Sequence, residues 1–503
     1  MGFLRLTFVF AVFFISAVGY LQLMPGKLPR RISFEKISTK DYILVPKGFS
    51  SYALDMGQVL GGKWWEGSLN FEGGRGGVKA MPFNFKRKKL DELVRPLAPF
   101  TLRLGGSEAD SVLYEIDTNR SVLTQEELKQ GFQTILNRER LNSIKRFISE
   151  NDIELMFTLN VGPGYREDGK LNYQALEEFL SKLSKEIPNI KVFELGNEIN
   201  AFFLNYGLSG QIFLKQYADD YLAVKSILRK YYPNAKLAGP ANAFWPYIGE
   251  VFKTFTLNSK RLIEHLGSEL DLLTWHYYPT QSVRCPVQIE KADKESMLES
   301  IFYDDYINQA IVLTRKAHQE GVSSVWLGET GPAQCGGQPL VSQSFESAMW
   351  YFDHLFKTLK SGQEKLIRQT LVGSDYGLIN NKDLSVNFDY YVARIFASLS
   401  PKVMLTNGHS LLHSFCDDEG YLFHAFVLEN ERELKLPKGD HWLASLSERS
   451  FSQFSVESFN KELTRNFVKV KGKINPSGKT INIIRTDGHD QRCENILKGQ
   501  AGK

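Results

Sequence analysis

The sequence predicts an α/β protein: a (β/α)8 barrel of the TIM type, followed by a smaller C-terminal β-sandwich. Three observations predict it. From about residue 50 to 375, short β-rich runs alternate with longer amphipathic stretches, the pattern of strands and covering helices around a parallel sheet. The runs number eight, which suits a closed barrel, and the Gly-rich phosphate loop of an open doubly wound sheet is missing. After about Ser400 the texture changes to short alternating segments separated by Gly, Asn, Asp and Pro, as in an all-β unit.

Taken in order, the first 24 residues hold one charge, Arg5, before an apolar run from Leu6 to Met24 that is long enough to cross a bilayer. A signal peptide would use Leu6 to Ile15 as its core and Ala17 to Gly19 as its cleavage site. A signal anchor would keep the run, with Pro25 to Arg31 as an emerging stalk; Lys27, Arg30 and Arg31 just after the run favour cleavage. Either reading puts the bulk of the chain outside the cytosol, secreted or membrane-anchored. Residues 25–49 form a linker whose β-prone part, Ile32 to Val45, can join the sandwich. The barrel occupies 50–395. Its strands are expected at Ser51 to Leu54, Phe100 to Leu104, Leu155 to Leu159, Val192 to Leu195, Lys236 to Ala238, Leu270 to Trp275, Ser324 to Leu327 and Ile367 to Val372. Between them, Tyr217, Tyr221, Val224 and Leu228 share one helical stripe that Pro233 ends. The sandwich occupies 396–503, with strands such as Leu422 to Leu428, Phe467 to Val470 and Ile481 to Ile484.

At 503 residues the chain exceeds the usual size of a single core. Its 61 basic and 57 acidic side chains nearly balance, too even for a nucleic-acid binder, so no nucleic-acid partner is expected. Cys285, Cys335, Cys416 and Cys493 lack metal-ligand spacing. In an oxidising compartment the even count suggests two disulfides, Cys416 with Cys493 and Cys285 with Cys335, buried free thiols being the alternative. Asn119-Arg120-Ser121 is a glycosylation sequon.

The active site of such a barrel lies at the carboxyl ends of its strands. The fourth strand ends in Phe193-Glu194-Leu195-Gly196-Asn197-Glu198, and the seventh in Trp326-Leu327-Gly328-Glu329-Thr330. Two carboxylates, Glu198 and Glu329, thus meet at one barrel mouth, where retaining glycosidases need a pair about 5 to 5.5 Å apart. Across so short a gap one carboxylate attacks the anomeric carbon while the other protonates the leaving oxygen. An Asn-Glu ending strand four with a Glu ending strand seven resembles the large retaining clan of barrel glycosidases, and the resemblance implies that Asn197 binds the sugar 2-hydroxyl. Such a pair needs neither metal nor organic cofactor.

These stretches, with Leu102-Arg103-Leu104-Gly105-Gly106, Leu273-Thr274-Trp275-His276-Tyr277-Tyr278, the Gly336-Gly337 loop, and Ile367-Arg368-Gln369 leading to Gly373 and Tyr376, resemble the heparanase-type members of glycoside hydrolase family 79. The similarity runs from about Ser51 to the final β segments. It implies a barrel with a sandwich built from both chain ends, and attack on a β-linked glucuronic acid in an oligo- or polysaccharide. It implies Glu198 as acid/base, Glu329 as nucleophile, Tyr278 as a hydroxyl orienting that nucleophile, and His276 lining the same subsite. Tyr376 matches the position holding the uronate carboxylate, with backbone amides around Gly373 as further donors, and Asp55 a position contacting sugar hydroxyls. The bland alternatives are a tyrosine bonded to backbone, a core histidine and a capping aspartate. A uronate-containing glycan is thus the expected partner, and a monomer the expected state.

Several features depart from the family pattern. Ile199 follows Glu198 where Pro is common. The stretch between Tyr114 and Phe132 is too short for an excised activation peptide, which predicts a single-chain enzyme. Ala241 to Phe252 is nearly uncharged where animal members carry a basic run, against heparan sulfate as substrate. The run Lys86-Arg87-Lys88-Lys89 would steer a polyanion or be a solvated helix face. Gly61 to Trp65 with Gly73 to Gly77 would be a substrate-lining loop or a packed cover. Two other functions stay open: a retaining barrel glycosidase on a neutral sugar, and a non-catalytic glycosaminoglycan-binding paralogue. Retention of two mutually repelling carboxylates speaks against the second.

Overall fold

The structure is a computed structural model and describes residues 30–34, 41–65, 71–72, 75–76, 78–250, 256–303, 305–406 and 410–501. The expected signal peptide or anchor lies outside these residues; among those described, no helix is long and apolar enough to cross a membrane.

Eight parallel strands close into a barrel: β1 (Ser50–Asp55), β2 (Phe100–Gly105), β3 (Ile153–Leu159), β4 (Val192–Leu195), β5 (Lys236–Phe244), β6 (Leu272–Tyr277), β7 (Val325–Thr330) and β8 (Lys365–Arg368), the last pairing back onto β1. Each is followed by a covering helix: α1 (Lys88–Val94), α2 (Arg138–Glu150), α3 (Tyr173–Glu186), α4 (Leu214–Tyr231), α5 (Ser259–Leu266), α6 (Asp305–Gln319), α7 (Phe345–Lys360) and α8 (Phe388–Leu399). Two strands differ most from expectation, and the third, sixth and seventh by one to three residues at an end. β5 runs on to Phe244 through Gly239-Pro240, which reads as a stop in sequence, by taking a bulge between Pro240 and Asn242. β8 starts and ends earlier than expected, at Lys365 and Arg368, and α8 carries the barrel to Leu399, past the expected boundary at 395.

Side chains alternate between the two faces of each strand. Leu102, Leu104, Phe157, Phe193, Leu237, Leu273 and Leu327 belong to the large core shared with the helices. Ala53, Met156, Val192, Ala238, Leu272, Trp326 and Ile367 form a separate apolar cluster inside the barrel. Two residues further along the same faces come Asp55, Thr158, Glu194, Thr274 and Gln369. The barrel interior therefore changes from apolar to polar toward the carboxyl ends of the strands.

The C-terminal strands β9 (Val403–Leu405), β10 (His413–Cys416), β11 (Tyr421–Leu428), β12 (Leu434–Leu446), β13 (Phe467–Ile474) and β14 (Thr480–His489) are joined by the N-terminal strand Tyr42–Leu44, which pairs with β9. Phe415, Phe423, Val427 and Ile483 belong to the barrel's outer core, Phe415 stacking on Phe356 of α7 with centroids 5.3 Å apart. These strands form a single seven-stranded sheet, and Phe426, Leu428, Leu434, Leu436, Leu443 and Ile484 enclose a second core on the face turned away from the barrel. Disulfides join Cys285 to Cys335 and Cys416 to Cys493, each with Cα atoms 5.6 Å apart. Arg30, a stalk residue only in the signal-anchor reading, is buried and bonds Asp353 of α7 (2.9 Å) and the Ile301 carbonyl (2.7 Å). A guanidinium that finds a buried carboxylate does not stay in solvent.

Candidate active site

Glu198 and Glu329 stand at the barrel mouth with His276 between them. One carboxylate oxygen of each glutamate and a ring nitrogen of His276 all lie within 4.8 Å of one another. Strict alternation from the inward Trp326 would turn Glu329 outward. The ladder slips there, pairing Trp275 with Leu327 but His276 with Glu329, and the bulge at Gly328 re-aims the glutamate into the mouth. Glu198 reaches it differently, through Gly196 (φ 74°) and its own left-handed backbone (φ 50°, ψ 53°). A Cβ on Gly196 would sit 2.5 Å from Val161. The left-handed glutamate costs about 1–3 kcal/mol; its N–H donates to the Ala241 carbonyl (3.0 Å), and the Asn197 N–H to Asp110 (2.9 Å). Burial pushes Asp110 up to about 7, against the two backbone N–H bonds it accepts.

Beneath the pair lies Arg103 of β2, fully buried. Its Nε donates to Glu194 (2.8 Å), Nη1 to Glu329 Oε2 (2.6 Å) and Nη2 to the Asn197 amide oxygen (2.7 Å). Tyr278 donates to Glu329 Oε1 (2.7 Å), so both oxygens of Glu329 are held. Burial alone would raise the Glu329 pKa; His276, Arg103 and the Tyr278 hydroxyl outweigh it and hold the carboxyl below the usual glutamate range. The same burial and the Glu329 charge push the Tyr278 hydroxyl upward, keeping it a donor. The two glutamates and His276 are also of metal-ligand type, but with the Arg103 guanidinium already paired to Glu329 and close to His276 the trio is poorly set for a cation.

The mouth opens into a cleft lined by Asp55, Asn197, Glu198, Tyr278, Glu329 and Tyr376 among the expected residues. Asn197 has its amide oxygen on Arg103, so its N–H groups are what it can offer a sugar. Asp55 both caps the following short helix, accepting from Gly57 (2.8 Å), and faces the cleft. A Cβ on Gly106 (φ 80°) would fall 1.9 Å from its carboxylate. Tyr376 accepts a bond from Gln369 (3.3 Å), which leaves its own hydrogen to donate.

Other expectations shift. His276 is buried and offers no surface to the cleft, but stands against both glutamates, with Nδ1 3.1 Å from Glu198 and Nε2 3.5 Å from Arg103. Gly373 stands apart from the cleft lining, its N–H donating to the Ile379 carbonyl (2.9 Å). Within the basic run, Arg87 bonds Asn381 and Lys89 the Asp383 carbonyl, joining α1 to the loop after β8. Trp65 lines the cleft while Trp64 packs behind Tyr278 and Tyr376; Gly73, Gly74 and Gly77 lie outside the described residues. Sequence reading gave no role to Arg103, Glu194, Asp110 or Gln369. The first two and Gln369 lie on inward faces, and a polar side chain at an inward barrel position was the available signal.

Comparison with known proteins places this geometry in context. The chain is 26% identical over 330 residues to heparanase-like protein 3 of Arabidopsis thaliana, covering 62% of the chain and 57% of that relative. It is 24% identical over 438 residues to baicalin-beta-D-glucuronidase of Scutellaria baicalensis, covering 79% of each. Against the heparanase-type relatives of Arabidopsis thaliana and Rattus norvegicus it spans less than two thirds of their length. An α-L-arabinofuranosidase from Thermotoga maritima shares the fold at a TM-score of 0.58 and 14% identity, over 90% of this chain and 98% of that one. The family described as "Glycosyl hydrolase family 79, N-terminal domain" matches residues 67–356, more than half of the chain. The chain therefore belongs to glycosyl hydrolase family 79.

Proposed function

We propose that the protein is a retaining glycoside hydrolase that cleaves β-linked glucuronic acid by double displacement. The observation that carries this is the approach of Glu198 and Glu329 oxygens to within 4.8 Å. Retaining pairs lie about 5–5.5 Å apart, and inverting pairs about 6.5–9.5 Å to admit a water. Glu329, ionised by its neighbours, attacks the anomeric carbon as Glu198 gives its proton to the departing glycosidic oxygen. In the second step Glu198 takes a proton from water, the hydroxide oxygen joins the anomeric carbon, and Glu329 is released. Tyr376, with a hydroxyl hydrogen to spare and Gln369 beside it, supports uronate binding, as does the name of the Scutellaria relative. The two disulfides fit an oxidising compartment.

Glu329→Gln should lower hydrolysis of an aryl β-glucuronide by at least about 1000-fold. Glu198→Ala should regain turnover with azide, giving a β-glucuronyl azide. An inverted product anomer, or a Glu329→Gln variant of near wild-type rate, would end the assignment. A neutral glycone is the second reading, favoured by the cleft's lack of Lys and Arg among the described residues; turnover of an aryl β-xyloside but not the glucuronide would establish it.

A further inference from the structure

The cleft wall changes chemistry across the mouth. The ends of β8, β1 and β2 bring Gln369, Tyr376, Asp55 and Ser107 to one side, with Trp65 at its edge. The loops after β4, β5 and β6 bring Phe203, Leu204, Trp245, Ile248, Val287 and Ile289 to the other. Leu204 is 44% exposed, although it borders a cleft whose other side, Trp65 apart, is polar. This second side belongs to Glu198, whose own loop carries Phe203 and Leu204. A group that protonates the departing oxygen stands beside the departing group, so the apolar wall borders the leaving-group subsite.

The wall is built before any ligand arrives. The Gln211 amide ties the β4 loop together, accepting from the Phe203 N–H (3.1 Å) and donating to the carbonyls of Ile199 (3.1 Å) and Ile212 (2.7 Å). Asn200 bonds the Ala243 backbone twice (2.9 and 3.0 Å), fastening that loop to β5. The Cys285–Cys335 disulfide fastens the loop after β6 to the loop after β7, and both cysteines line the cleft. Arg284, next to Cys285, donates to the Gly337 carbonyl (2.7 Å) and to Asp375. The charged side chains among the described lining are Asp55, Glu198 and Glu329. A sulfated leaving group would meet carboxylates and hydrocarbon there, with its own charge uncompensated.

We propose that this subsite accepts a flat, uncharged aryl aglycone, so that the substrates are aryl β-glucuronides rather than sulfated glycans. The proposal rests on the glucuronidase reading and names the leaving group for it. Apolar walls with convergent polar groups on the opposite side are how small-molecule clefts combine affinity with orientation, and a preformed wall spends little of that affinity on ordering.

The test compares kcat/KM of the full-length protein for phenyl and 2-naphthyl β-D-glucuronide, whose phenols are of similar acidity, and for a glucuronyl disaccharide with and without sulfate. The naphthyl compound should exceed the phenyl by about tenfold, and sulfate should lower turnover of the disaccharide. Trp245→Ala and Leu204→Ala should bring the naphthyl-to-phenyl ratio toward one, a ratio that general loss of folded enzyme does not move. Val287→Lys should shrink the sulfate penalty. A wild-type ratio near one, or a sulfated disaccharide preferred over the naphthyl compound, overturns the proposal. Where the glucuronide reading alone fails, phenyl and 2-naphthyl β-xylosides decide the aglycone question by the same ratio.

Discussion

Glu329 is a buried anion, and three neighbours make that tolerable: the Arg103 guanidinium, the Tyr278 hydroxyl and His276. Their combined pull outweighs burial and holds its pKa below the ordinary range near 4.3. The nucleophile therefore stays ionised, and its share of activity persists, to more acidic pH than a free glutamate would allow. Tyr278→Phe removes one donor to the charged form, worth about 1.5–3 kcal/mol. It should lower kcat/KM by about 10- to 100-fold and move the acidic limb of the pH–rate profile upward. An unmoved limb would show that the hydroxyl does not serve the carboxylate. At this scale sequence reading found the pair by their place after apolar runs, yet passed over Arg103. Its inward position was legible, but the acceptors that give it a role come from residues about ninety positions away and more.

Among the elements, the tips of β2, β3 and β4 are joined through one carboxyl group. Asp110, in the turn after β2, accepts from Val161 beyond β3 (3.0 Å) and from Asn197 beyond β4 (2.9 Å). Burial raises its pKa to about 7, so between the unfolded range near 3.9 and 7 the native state keeps a proton that the unfolded chain has released. Stability drawn from this group is thus full below about 4 and falls as pH rises toward 7. The gap in thermal midpoint between wild type and Asp110→Ala should therefore narrow from pH 4.5 to 7.5. A gap that widens with pH would mean that the carboxyl is ionised in the fold. The strands themselves were legible where hydrophobic periodicity ran unbroken, as in Val192–Leu195. They were misjudged at Gly239-Pro240, where pairing with β6 overrides a local stop signal.

Over the whole molecule, the first described segment is fastened to the barrel and the last described helix to the C-terminal sheet. Arg30 bridges α7 and the Ser410 carbonyl near β10 (3.1 Å), and Cys416–Cys493 ties the C-terminal helix Gln491–Ala501 to β10 across a separation of 77 residues. Replacing both Cys416 and Cys493 by Ala should cost about 2–4 kcal/mol and lower the thermal midpoint, with kcat/KM for an aryl glucuronide unchanged, since the bond lies outside the cleft. An equal midpoint would mean that the strand and helix hold without it. What the sequence determined by itself was the alternation of strands and helices, the polar tips of the strands and the two glutamates, because burial periodicity and strand-end position are properties of short segments. The tertiary structure alone decided the bulge that turns Glu329 inward, the arginine beneath the pair and the apolar wall beside Glu198. Each of these depends on which distant segments the closed barrel brings into contact.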